Sequence, residues 1–267
     1  MTGLEVPIFS PASARAALSR GAGRIEVNRE GSYPQGGLTP DESEVGPLSD
    51  SPVPLRVMIR PRGPPPAGSG GGPDFIYSGA EFEEMKDAIR RFKACGYLNT
   101  GRGDGFVFGV LKEVKEHGGR EGRALVVDAD RNRELVQLAH PFPCVFHRAF
   151  DEVIGNGNLS SAAEEEALHA VAACGFDGIL TSGGPGSAAD HIDTLSHILQ
   201  RAADLEIIVG GGVRSSNVQV LKDSLLGRPA APGGSRVWFH SSCLTAQSGG
   251  GVDEEEVDKI TIGLKGT

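Results

Sequence analysis

The chain has 267 residues, of which 39% are hydrophobic and 23% charged, with 39 glycines and 17 prolines; that composition supports a buried core and an excess of loop. Thirty-five acidic residues outweigh 26 basic ones, giving a net charge of −9, which argues against nucleic acid or an anionic membrane as a partner and makes any anion site a local exception. No stretch approaches the roughly 18 apolar residues of a membrane span, no basic segment and apolar run open the chain, and the four cysteines form no C-x-x-C pair, so a cytosolic protein with reduced thiols is expected.

Leu4 to Phe9 reads as a strand, Ser10-Pro11 opens a helix, and Gly21-Ala22-Gly23 stops it. Arg24 to Asn28 is the second strand, followed by a glycine-rich loop and a helix blurred by Pro47 and Pro52. Leu55 to Ile59 is the third strand, running into Arg60-Pro61-Arg62-Gly63. The Pro, Gly and Ser residues of 64–73 predict a flexible loop, because the strand and helix pattern resumes directly after it. A helix follows from Gly79 to about Lys93, with Phe82, Met85, Ile89 and Phe92 on one face. Asp104 to Leu111 is the fourth strand, and Asp128 or Asp130 caps a helix through Ala139.

The fifth strand starts at Cys144 and ends in His147, Arg148 and Asp151. The pattern then recurs: helix Ala162 to Ala173, strand Gly178 to Leu180 ending in Thr181-Ser182, helix Asp190 to Ala203, and strand Glu206 to Val209. A Gly210-Gly211-Gly212 turn leads to a helix capped by Ser215 or Ser216, then to strand Arg236 to Phe239 ending in His240-Ser241-Ser242, and to a helix from Asp253 to about Leu264. Eight strands alternating with helices over about 250 residues predict an α/β fold, a TIM (β/α)8 barrel, as a single domain over 1–267. A doubly wound sheet fits less well, because no Gly-x-Gly-x-x-Gly opens a helix after an early strand.

In such a barrel the strand C-termini share one face, so Glu5, Glu26, Arg60, Arg62, His147, Arg148, Asp151, Thr181, Ser182 and His240 converge there. Arg60 and Arg62, two residues apart, suit a carboxylate or phosphate, or else form buried bridges to Glu5 and Glu26. Gly211 and Gly212, before a helix start, offer an anion cradle that Ser241 and Ser242 extend, or else a tight turn. His147 is a general base or acid oriented by Asp151 or Glu26, a metal ligand with His240, or a core histidine. Cys95, Cys144 and Cys174 fall at the opposite end of the barrel, and Cys243 is left as the thiol able to reach the site as a metal ligand.

Arg60-Pro61-Arg62-Gly63, Asp74-Phe75-Ile76-Tyr77-Ser78, Met85 to Ile89, Gly105 to Leu111, Phe146 to Asp151, Leu180 to Gly183, the glycine triplet and His240-Ser241-Ser242 together closely resemble the CutC family from about Leu4 to Leu264. The resemblance implies a cytoplasmic TIM-like barrel, a homo-oligomer (dimer or tetramer), and copper homeostasis with Cu(I) as the bound ion. Family members often carry cysteine where this chain has Pro7 and Asn28. Two functions are therefore weighed: a copper-binding protein, and an enzyme acting on a small phosphorylated or carboxylated molecule by His and carboxylate acid–base chemistry. A scaffold with an ion-paired barrel mouth is the third.

Overall fold

In the computed structural model, which describes residues 2–66, 72–115, 123–155, 161–202, 204–227 and 236–266, short buried strands alternate with helices along the chain. β1 (Thr2–Ile8), α1 (Pro11–Ser19), β2 (Arg24–Val27), a single-turn α2 (Glu42–Val45), β3 (Leu55–Met58), α3 (Gly79–Ala94) and β4 (Gly105–Phe108) form the first half. After β5 (Leu111–Lys115) and β6 (Arg123–Val127) come α4 (Ala129–Ala139), β7 (Cys144–Phe146), α5 (Ala149–Ile154) and α6 (Ser161–Ala173). The remainder is β8 (Gly178–Thr181), α7 (Ile192–Arg201), β9 (Glu206–Val209), α8 (Val218–Leu226), β10 (Val237–His240) and α9 (Glu254–Lys265).

Eight of these strands close into a parallel barrel in the order β1-β10-β9-β8-β7-β4-β3-β2, the predicted TIM fold. Alternate residues on each strand point to opposite faces, and the buried apolar residues accordingly fall into two clusters. The larger lies between barrel and helices and includes Ile25, Val57, Phe106, Phe146 and Ile207. The smaller, Met58, Val107, Val145, Leu180 and Ile208 with Trp238 against it, fills the barrel interior. Gly3 has no side chain because the Trp238 ring occupies that space: a Cβ there would lie 2.7 Å from it.

The helices follow local chemistry. Ser78 caps α3 in a capping box with Glu81, and Phe82, Met85, Ile89 and Phe92 form its buried face as the spacing predicts. Asp128 caps α4.

Two sequence expectations need correction. The strand predicted over Asp104 to Leu111 breaks after Phe108, and Leu111 instead starts a two-stranded antiparallel ribbon, β5–β6, outside the barrel. Its residues Lys112 to Lys115 are exposed, which is why the apolar pattern stopped there. The helix expected from Ser215 starts at Val218 after Asn217, because the Ser215 hydroxyl is engaged by Glu256. Of the loop expected to be flexible, 67–71 lie outside the described residues.

Candidate functional site

A cavity of about 430 Å³ opens at the C-terminal mouth of the barrel, with Leu180 and Met58 of the interior cluster in its lining. Glu26, Arg60, His147, Arg148, Asp151 and His240 also line it, so six of the predicted residues converge on one space.

Glu26 and His240 belong to a chain of charges that runs down into the barrel. Parallel pairing sets Glu5 of β1 level with both Arg24 at the start of β2 and His240 at the end of β10. One Glu5 oxygen meets Arg24 and the other lies 2.7 Å from Nδ1 of His240. Arg24 also pairs with Glu206 and stacks over Trp238. Burial opposes ionisation of Glu5, but Arg24 and His240 outweigh it and hold its pKa down to about 2. Glu26 has no hydrogen-bonded cation: its Oε1 accepts from Asn28, whereas its buried Oε2 has no partner among the described residues. Burial, and then the Glu5 charge, push the Glu26 pKa up. Burial also opposes charge on His240, yet Glu26 and Glu5 raise its pKa. Glu5, Glu26 and His240 each bring one ligand-type atom within 4.8 Å of the others.

His147 is of a different kind. The Ala149 backbone N–H donates to its Nδ1 at 3.3 Å, and an amide can act there only as donor, so the neutral ring carries its proton on Nε2. Nε2 is buried and has no partner among the described residues. Burial and then the Arg60 charge hold the His147 pKa well below the ordinary imidazole value. Phe75 packs 4.7 Å from the His147 ring, centroid to centroid, and receives the Arg60 guanidinium on its ring at 4.9 Å. Phe75 holds φ at 63°, a backbone strained for a bulky residue of a kind that clusters at functional sites. Gly109 admits the His147 ring, since a Cβ there would lie 2.8 Å from Nδ1.

Asp151, also in the lining, is saturated. It accepts from Thr181 Oγ1 at 2.5 Å, from the backbone and hydroxyl of Ser182, and from Arg148 Nε at 2.7 Å. Arg148 Nη2 reaches Ser182 Oγ at 2.7 Å, while Nη1 has no partner among the described residues and the side chain is 40% exposed. Asp151 therefore positions Arg148 and does not contact His147; neither it nor Glu26 orients that ring, because the Ala149 amide does.

Other predicted residues are placed elsewhere. Arg60 and Arg62 do not bridge to Glu5 and Glu26. Arg60 pairs with Asp74 and with the carbonyls of Gln35 and Gly37, and Arg62 with Glu81 and the Ile76 carbonyl. Glu5 lies below the cavity, not at its lip. Gly211, Gly212 and Ser241 lie outside the cavity lining: Gly211 and Gly212 hold positive φ, their carbonyls accept from Ala188 and Asn217, and Ser241 bonds the Val213 carbonyl. Cys243 is fully buried, with its thiol directed at the Ser241 carbonyl and its pKa pushed up to about 11 by burial. No cysteine lines the cavity among the described residues, so the residues present do not fit a thiolate-held copper ion. Sequence reasoning missed Arg24, Asp74, Phe75 and Glu152. Asp74 and Phe75 were legible as a motif but had no assigned place, and Arg24 sits at the far end of its strand.

The CutC family model matches residues 2–226. The chain is 32% identical over 249 residues to a mouse copper homeostasis protein cutC homolog, covering 92% of this chain and 75% of that one. It is 34% identical over 222 residues to a CutC family protein of Xanthomonas axonopodis pv. citri, covering 82% and 78%. Among solved structures, the CutC protein of Streptococcus agalactiae superposes with a TM-score of 0.67 at 22% identity, covering 90% of this chain and 98% of that one. A phosphoribosyl anthranilate isomerase from Thermococcus kodakaraensis gives 0.58 at 13% identity over the whole of both chains, a likeness of fold.

Proposed function

The chain belongs to the CutC family, and from that premise we propose that its barrel-mouth cavity binds a small carboxylated or phosphorylated molecule and acts on it by acid–base chemistry. One observation carries the reading: Glu26 and His147, each with a buried polar atom that has no partner among the described residues, Oε2 and Nε2, line the same cavity as Arg148, whose Nη1 likewise has no partner among them. Buried polar atoms in folded proteins are almost always paired, and unpaired ones in a cavity are what a ligand would satisfy.

In this reading Arg148, held by Asp151 and Ser182, meets the anionic group. His147 donates Nε2–H to an oxygen on which negative charge develops, as a neutral donor and not as a base. Glu26, with its raised pKa, gives or takes the proton, and His240 with Glu5 behind it supplies the compensating charge.

Copper enters through the relatives' names. The Cu(I) binding expected from the resemblance finds one soft donor in the cavity, the Met58 thioether. The cytosolic setting and homo-oligomeric state belong to the same proposal; four cysteines outside any disulfide support the first, and light scattering tests the second.

The decisive experiment is a thermal-shift screen of phosphorylated and carboxylated metabolites on wild type and Arg148→Ala. Stabilisation by a subset of anions, lost in the variant, supports the proposal. A screen without stabilisation, or one that Arg148→Ala leaves unchanged, overturns it.

A further inference from the structure

The cavity floor combines features that an acid–base pair alone does not require. Glu5, Glu26 and His240 come from strands far apart in sequence, yet one donor atom of each lies within 4.8 Å of the others. Glu26 lines the cavity at 3% exposure, and its buried Oε2 has no partner among the described residues. Nδ1 of His240 and one oxygen of Glu5 lie 2.7 Å apart, close enough to ligate one ion side by side once the ion replaces the proton between them.

We infer that Glu5, Glu26 and His240 form a site for a divalent cation of the Zn²⁺ or Mn²⁺ class at the floor of the cavity. Two carboxylates and an imidazole are borderline-to-hard donors, which favour these ions over Cu(I). At most three protein ligands leave coordination positions for water or ligand, the open arrangement of reactive metal sites. Arg24, the cation nearest Glu5, does not face the ion uncompensated, because its other amino group pairs with Glu206. Glu206 and Arg24 supply opposite charges below the site, and Arg56, which also acts on Glu5, completes the set. The cavity provides the path for entry.

The inference rests on the proposed cavity and puts a divalent cation beside Glu26, the residue to which that reading gives the proton. Calorimetric titration of the full chain with Zn²⁺ and with Mn²⁺, alongside Cu(I) delivered from a competing chelator, tests it on wild type, Glu26→Gln, His240→Gln and Arg148→Ala. The expected result is equimolar binding of Zn²⁺ or Mn²⁺ that weakens at least about tenfold in Glu26→Gln and His240→Gln and persists in Arg148→Ala. Circular dichroism confirms that each variant is folded, and Glu26→Gln, which keeps side-chain volume, decides the matter should His240→Gln not fold. Absence of divalent binding, binding unchanged in Glu26→Gln, or tighter binding of Cu(I) than of either divalent ion overturns the inference. Retained anion stabilisation without metal binding would sink this site alone; retained metal binding without anion stabilisation would sink the functional proposal.

Discussion

Glu5 and His240 stand side by side on neighbouring strands, carboxylate oxygen 2.7 Å from Nδ1, although 235 residues separate them. The pair couples the ionic interior of the barrel, where Arg24 holds the other Glu5 oxygen, to the cavity that His240 lines.

Glu5→Gln is therefore expected to lower stability by about 3–5 kcal/mol, because it leaves Arg24 buried with one charged partner fewer. The native pKa of about 2 against an ordinary 4.5 also fixes a pH effect. A carboxylate depressed by folding contributes stability above its unfolded pKa and loses it as pH falls through the folded one. In wild type that contribution, on the order of 3 kcal/mol, should be complete above about pH 4.5 and decay toward about pH 2. Urea midpoints across this range, measured for both proteins, check it; parallel curves would refute it.

Glu26 works in the opposite direction. Its pKa is raised by burial and the Glu5 charge, so its stabilising proton is present below the unfolded value and is lost as pH rises through the folded value. His240 also has a raised pKa and adds to the same decline on the alkaline side. Glu26→Gln should flatten the fall in Tm between pH 5 and pH 8 and melt above wild type at pH 8, by about 1 kcal/mol or more for each pKa unit removed. A variant that melts lower than wild type at pH 8 would show that the ionised Glu26 is paired.

The barrel and its mouth were legible in the sequence because strand-ending polar residues recur with the repeat: Glu26, Arg60, His147, Arg148, Asp151 and His240 share the cavity. What the sequence hid was stagger. Strand ends can be read from turn residues, but the offset between strands cannot, and that offset sets Glu5 level with Arg24 and takes it below the mouth. Arg60 and Arg62 looked like an anion clamp because spacing on a strand says nothing of loop partners. Asp74 and Glu81, which neutralise them, follow a segment that pattern reading could treat only as loop.

His147 is expected to be neutral at pH 6.5 and above, with its proton on Nε2, because burial and Arg60 oppose the imidazolium and the Ala149 amide occupies Nδ1. Nitrogen-15 chemical shifts of the ring report both properties. A ring that titrates with a midpoint near 6.5, the free imidazole value, would remove it as a neutral donor.

Arg148 and Asp151 should separate binding from stability. Arg148 is 40% exposed, so Arg148→Ala should cost less than about 1 kcal/mol while abolishing anion stabilisation. Asp151→Ala strips the buried Thr181 hydroxyl and the Ser182 backbone and hydroxyl of their shared acceptor. It should cost about 2–4 kcal/mol and weaken anion binding through loss of Arg148 position, and Asp151→Asn should restore much of the stability. Equal melting of the Arg148 and Asp151 alanine variants would contradict this division.

Cys243 offers the sharpest test against a thiolate copper site. Its thiol is buried behind the Ser241 carbonyl and its pKa lies at about 11, so the thiolate fraction at pH 7 is on the order of 10⁻⁴. In the native protein Cys243 should react with a disulfide reagent at least about a hundredfold more slowly than an unperturbed thiol of pKa near 8.5, whereas half-buried Cys95 reacts first. Peptide mapping of a timed labelling reaction resolves the two. Cys243→Ala should leave Cu(I) affinity unchanged in competition with a chelator, because a neutral thiol aimed at a carbonyl contributes no ligand until the loop after β10 is rebuilt. A loss of affinity in that variant, with its fold intact, would mean that Cu(I) itself reorganises this loop, and the thiol would return to the site.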